Sequence, residues 1–150
     1  MSYDTVVVGY DGSSDADRAV EAAADQTGRE GTVHVVTAFH PESTTRLMQH
    51  LQQLPEEFRY TYDPHAAEKE RQHPALARLE ERGVHAEAHI VPDDPATAII
   101  DVAAREGADL VVVGSRGLGG VQRFLRGSVS ARVAAHAPTS VLIIHDPSRT

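Results

Sequence analysis

Asp109-Leu110-Val111-Val112-Val113-Gly114-Ser115-Arg116-Gly117-Leu118-Gly119-Gly120-Val121-Gln122-Arg123-Phe124-Leu125-Arg126-Gly127-Ser128 reads as a strand, a glycine-rich loop and the start of a helix. The strand, Asp109 to Gly114, is the short β-branched kind that a parallel sheet buries on both faces. A loop leaving the carboxyl end of such a strand lies where open α/β sheets bind ligands. Unpaired amides at Gly127, Ser128 and Val129 would face an anion, and the helix dipole adds to the attraction. Ser128 can cap the helix or contact a phosphate oxygen. Glycines at 114, 117 and 127 permit positive φ and a close approach of backbone to ligand. Arg116, Arg123 and Arg126 concentrate cationic charge in the same stretch. A plain connector would use its glycines for turns alone. The strand before, the helix after, the serine at the cap and the arginines favour phosphate binding instead.

Outward from this segment the chain alternates strand and helix. Thr5-Val6-Val7-Val8-Gly9 is a second buried-strand run, breaking at Tyr10-Asp11-Gly12-Ser13-Ser14. Ala16, Ala19, Val20, Ala23 and Ala24 then share one helical face, with Ser13 or Ser14 as N-cap and Asp15 and Asp17 in the first turn. Gly28 and Gly31 are expected to end that helix, and Thr32 to Ala38 to form the next strand. Residues 84–91 alternate as a strand, Asp94-Pro95 opens a helix and Gly107 stops it. Ser128 to Ala137 is helical, and Ser140 to His145 is the last strand. Strands separated by helices imply parallel pairing and right-handed crossovers. The fold class is therefore α/β, a single open doubly wound five-stranded parallel sheet with helices on both faces, and residues 1–150 form one domain.

Phe39 to about His73 is less regular. Leu47, Met48, Leu51 and Leu54 predict a short amphipathic helix capped by Thr44 or Thr45, its stripe serving core or interface. Pro74 either starts the following long helix or interrupts a longer one.

Composition limits the partners. The 150 residues carry a net charge of -8 and no cysteine, which excludes thiolate chemistry, disulfides and thiolate metal sites. An acidic chain lacks the basic stripe of a nucleic-acid surface. The apolar runs are far too short for a membrane span, and Met1-Ser2-Tyr3-Asp4 shows no signal-peptide pattern, so a soluble cytoplasmic protein is expected. Nine histidines raise the question of a metal. His85 and His89, four apart on a strand, would lie about 13 Å apart along one face, too far to chelate together.

Gly114-x2-Gly117-x9-Gly127-Ser128 resembles the nucleotide-binding pattern G-x2-G-x9-G-(S/T) of the universal stress protein family, in its ATP-binding branch. Val8-Gly9-Tyr10-Asp11-Gly12-Ser13 resembles the family's opening strand and loop, and Asp94-Pro95-Ala96 the start of its third helix. The resemblance implies strand order 3-2-1-4-5, which makes strands one and four neighbours at the switch point. It also implies that Asp11 contacts the ribose or holds Mg on the phosphates, and that Ala38 meets adenine through its backbone. Gly114 and Gly117 would line the nucleotide, with Gly127, Ser128 and Val129 at the phosphates. Tyr10, Ser13 and Arg116 complete the expected ATP or AMP contacts. Asp93 departs from the usual glycine, and Tyr10 replaces a commoner Asp or small residue.

The function that the resemblance implies is an ATP-binding switch or stress-response factor, and the Ser140–His145 edge strand is expected to pair with its copy in a homodimer. The alternatives are a slow Mg-dependent ATP hydrolase and a ligand-free dimeric scaffold. Ser128 has no histidine and acid placed to activate it as a nucleophile.

Overall fold

Val6, Val7 and Val8 are wholly buried at the middle of a five-stranded sheet, as their β-branched run requires. The computed structural model describes residues 2–59, 61, 63–116 and 128–145. Among them the elements run β1 (Tyr3–Gly9), α1 (Ser14–Gln26), β2 (Thr27–Ala38), α2 (Pro41–Gln52), α3 (Glu56–Arg59) and α4 (Ala66–Glu81). The chain continues through β3 (His85–Val91), α5 (Pro95–Glu106), β4 (Leu110–Gly114), α6 (Ser128–His136) and β5 (Ser140–Ile144). All the pairings are parallel and the order is β3-β2-β1-β4-β5, as the family resemblance implies.

Alternate side chains divide the core in two. Val6, Val8, Val33, Val35, Leu110 and Val112 pack under α1 and α4, against Ala19, Val20, Ala75 and Leu79 among others. Val7, Val36, Val111 and Val113 pack under α5 and α6, against Ile99, Val102 and Val133. Arg82 holds α4 to α1 through Glu21 at 3.0 Å and Asp25 at 2.5 Å, and Arg78 also pairs with Glu21. The expected caps form: the Ala16 N–H donates to Ser13 Oγ, the Thr97 N–H donates to Asp94 Oδ1, and Gly107 ends α5 in the left-handed conformation.

Several sequence expectations are corrected. Gly28 and Gly31 do not end α1; they lie inside β2, which begins at Thr27. Tyr3 pairs with Thr27 but Thr5 with Thr32, so β2 carries extra residues here. A Cβ at Gly31 would sit 3.0 Å from the carbonyl oxygens of Tyr3 and Asp4, so the glycine permits close strand approach at this bulge. α2 starts at Pro41 behind His40, ahead of the threonines expected to cap it. Its apolar stripe is not core: Leu47 and Leu51 are half-buried, while Met48 and Leu54 are exposed. Pro74 lies inside α4, the second of the two alternatives.

Candidate functional site

Strand order reverses between β1 and β4, whose register pairs Val6 with Leu110 and Val8 with Val112. The loop after β1 and the turn after β4 therefore leave the sheet side by side, at the edge where such sheets bind ligands.

The first loop is held by its own polar groups. The Tyr10 N–H donates to the Val36 carbonyl at 2.8 Å, and the Tyr10 carbonyl accepts from the Thr37 hydroxyl at 2.9 Å. The ring is buried in the core, with its hydroxyl donating to Asp17 Oδ1 at 2.7 Å. Burial, then that hydrogen bond, pushes the phenol well above its usual range. Asp11 Oδ1 accepts the Ser13 N–H at 2.9 Å, closing an Asx turn. Gly12 follows at φ 84, a conformation that glycine adopts without strain. Ser13 is spent on its cap, accepting the Ala16 N–H at 3.2 Å. Tyr10 and Ser13 thus set the shape of the loop, while Asp11 is its half-buried carboxylate.

Gly114 ends β4 where α1 begins. A Cβ there would lie 2.8 Å from Asp15 Cβ and 3.0 Å from the Asp15 carbonyl, so α1 can approach the strand only over glycine. The close approach that the structure shows at Gly114 is to α1, and the positive φ that its glycine would permit is not used. The Ser115 N–H donates to the Ile144 carbonyl at 2.9 Å, and its hydroxyl to Asp15 Oδ2 at 3.3 Å. Asp15 is fully buried, and its Oδ1 has no hydrogen-bond partner among the described residues. Arg116 follows half-buried. Gly117 and Gly127 lie outside the described residues. Ser128 and Val129 are the first two residues of α6, with Val129 packed against the core beneath α5. Ala38 closes β2 opposite Val91, and beside it the Phe39 ring lies 4.9 Å from that of His65.

Two neighbours escaped sequence reading. Arg71 of α4 lies over the Asp11 turn, its Cγ 3.2 Å from where a Gly12 Cβ would stand. The signal was helical spacing, since Arg71 precedes buried Ala75 by four residues and buried Leu79 by eight. Asp15 reads in sequence as one more first-turn acid; only packing against Gly114 buries it. The edge thus brings Asp11 and the stem of Arg71 beside Asp15, Ser115 and the half-buried Arg116. Further along, Arg132 of α6 donates to Asp94 Oδ1 at 2.8 Å and ties α6 to the N-terminus of α5.

Residues 2–145 match the universal stress protein family. Universal stress protein Rv1636 of Mycobacterium tuberculosis (strain ATCC 25618 / H37Rv) is 36% identical over 151 residues, spanning 96% of this chain and 97% of that one. A universal stress protein crystallised in complex with cAMP is 31% identical, with a TM-score of 0.70 over 97% of this chain and 98% of that chain. The hypothetical protein MJ0577 shares the fold at a TM-score of 0.76 and 20% identity, over 97% and 98% of the two chains. With the match running through all five strands and a relative alike over nearly the whole of both chains, this chain belongs to the universal stress protein family.

Proposed function

We propose that the chain binds an adenine nucleotide, ATP with Mg, at the edge shared by β1 and β4, and acts as a nucleotide-dependent switch. The observation that supports this most directly is the juxtaposition of the Asp11 turn with the Gly114–Arg116 turn at the switch point. A relative 31% identical to this chain was crystallised with cAMP, which supports the adenine nucleotide class.

On this reading Asp11 holds the ribose or the metal, and the backbone at Ala38 receives adenine. Gly114 and Gly117 line the nucleotide, and Gly127, Ser128 and Val129 present amides to the phosphates. Arg71 and Arg116 balance phosphate charge. Carboxylate oxygens at Asp11 and Asp15 are hard donors of the kind that Mg accepts. Bound Mg would neutralise charge on the phosphate oxygens. Fast hydrolysis also requires a positioned base for water, and Asp11 would then have to act as both metal ligand and base. The output is accordingly a change of conformation or partner, in the cytoplasm. β5 lies at the edge of the sheet, paired among the described residues with β4 alone, and its isologous pairing would give a homodimer. Light scattering at micromolar concentration tests that: a stable monomer overturns it.

Calorimetric titration with ATP, AMP and cAMP tests the site, with circular dichroism to confirm folding. Gly127→Val should abolish binding, because a side chain would occupy the space of a phosphate. Ser128→Ala should weaken it roughly tenfold to a hundredfold, the worth of a charge-assisted hydrogen bond of about 1.5–3 kcal/mol. Asp11→Ala should act mainly when Mg is present. Unchanged ATP affinity in a folded Gly127→Val protein overturns the assignment. A phosphate-release assay separates the switch from a hydrolase.

A further inference from the structure

On the face of the sheet covered by α5, β2 and β3 bring two imidazoles together. His34 Nδ1 lies 2.8 Å from His89 Nε2, with ring centroids 5.0 Å apart and planes inclined by 43°. His34 is only 5% exposed, in a strand whose neighbours Val33, Val35 and Val36 are core. A nitrogen pair this close holds one proton between one donor and one lone pair, since two N–H groups or two lone pairs would repel. Glu106, the last residue of α5, joins them: one ligand atom from each of His34, His89 and Glu106 lies within 4.8 Å of the others. Glu87, paired with His34 in the β2–β3 register, places Oε2 3.4 Å from His34 Nδ1.

We propose that His34, His89 and Glu106 form a binding site for a borderline divalent cation of the zinc type, separate from the nucleotide edge. Two imidazoles and a carboxylate suit zinc, whereas Mg prefers oxygen alone. Tetrahedral coordination with bonds of about 2.0–2.1 Å spaces ligand atoms by about 3.3 Å. The histidine nitrogens would therefore part by about half an ångström, and the carboxylate would close in. Glu106 can do so because its side chain is 31% exposed and Arg105, its ion-pair partner at 3.5 Å, is 60% exposed. The proton between the imidazoles moves to the outer nitrogen of the ring that held it, leaving both facing nitrogens as lone-pair donors with no net change in charge. Burial, and after it the neighbouring His34, holds His89 below the ordinary imidazole range. The partly exposed side of the site leaves a fourth position to water. Because the ligands come from β2, β3 and α5, the ion would clasp the outer strand of the sheet to the end of a helix. It would stabilise the fold by mass action.

The test is titration of chelator-treated, nucleotide-free protein with zinc alone, by calorimetry, and with cobalt, whose visible absorption reports tetrahedral nitrogen ligands. One ion per chain is expected, with a rise in Tm on adding zinc. His89→Ala and Glu106→Gln should each lower zinc affinity at least about tenfold. His85→Asn, on the same strand but outside the cluster, should leave it unchanged. If His89→Ala fails to fold, Glu106→Gln at the half-buried helix end decides the matter. Absence of saturable binding at micromolar zinc overturns the proposal. So does binding that survives Glu106→Gln unchanged, which would place the ion on a different set of ligands.

Discussion

The edge shared by β1 and β4 and the pair formed by β2 and β3 are built in opposite ways. At the first, the turn after β1 is shaped largely by contacts within a few residues, Asp11 to Ser13, Ser13 to Ala16 and Tyr10 to Asp17, and the turn after β4 is tied to it through Ser115 and Asp15. The two turns meet because β1 and β4 are neighbours, and a glycine keeps the meeting place clear. At the second, nothing local prepares the contact. His34 and His89 are 55 residues apart and meet through strand register and a shared face. A site made of caps and turns announces itself in short motifs. A site made by register does not.

The largest effect should come from breaking the first region at its point of closest packing. Gly114→Ala places a Cβ 2.8 Å from Asp15 Cβ and 3.0 Å from its backbone, and should cost about 1–3 kcal/mol in urea denaturation, with Gly114→Val costing more. Unchanged stability in Gly114→Ala would mean that α1 does not need the glycine. Next comes the register-built pair. His34→Ala removes a buried side chain and the partner of His89, and should cost about 1–3 kcal/mol in the metal-free protein. The double variant His34→Val/His89→Val removes both polar partners and should recover most of that loss. A double variant as unstable as the single would show that the pair does more for the fold than satisfy itself.

A smaller effect, about 1 kcal/mol, is expected when the Asp94 cap is lost in Asp94→Ala. Its carboxyl is held at about 2, below the ordinary 3.8, first by the Thr97 hydroxyl, then by the Thr97 N–H and by Arg132. A carboxyl lowered in the folded state stabilises above its unfolded value. The difference between wild type and Asp94→Ala should therefore be full above about pH 4 and fade as pH falls towards 2. A gap that does not shrink in acid would place the stabilisation elsewhere. The smallest effect should follow Arg132→Ala, which breaks an exposed pair: about 0.2–1 kcal/mol, shrinking in high salt.

Much of the fold was legible because its signals are local. Val6 to Val8 and Leu110 to Val113 read as doubly buried strands, and they are. Asp94-Pro95 and Gly107 read as the ends of α5, and they are. The misreadings have one cause. Gly28 and Gly31 carry the signature of a helix stop, but that signature does not distinguish a stop from a bulge, which depends on the neighbouring strand. The stripe from Leu47 to Leu54 reads as core or interface, and it is not core, because helical periodicity cannot tell whether another surface comes to meet it. Of the site, Asp11 and Gly114 stand out because turn and strand-end chemistry names them, whereas Arg71 and Asp15 gain their places only from α4 and β4 packing around them.

By itself the sequence determined the alternation of strand and helix, most of the apolar faces and the caps of α1 and α5. Those depend on backbone conformation and on side chains within a few residues. Only the tertiary structure decided that Gly114 serves the approach of α1, that Asp15 is buried beside it, and that His34 faces His89 and Glu106. Each of these joins residues from separate elements. Which residues meet is set by strand register and helix packing over the whole sheet, and no short stretch of sequence carries that information.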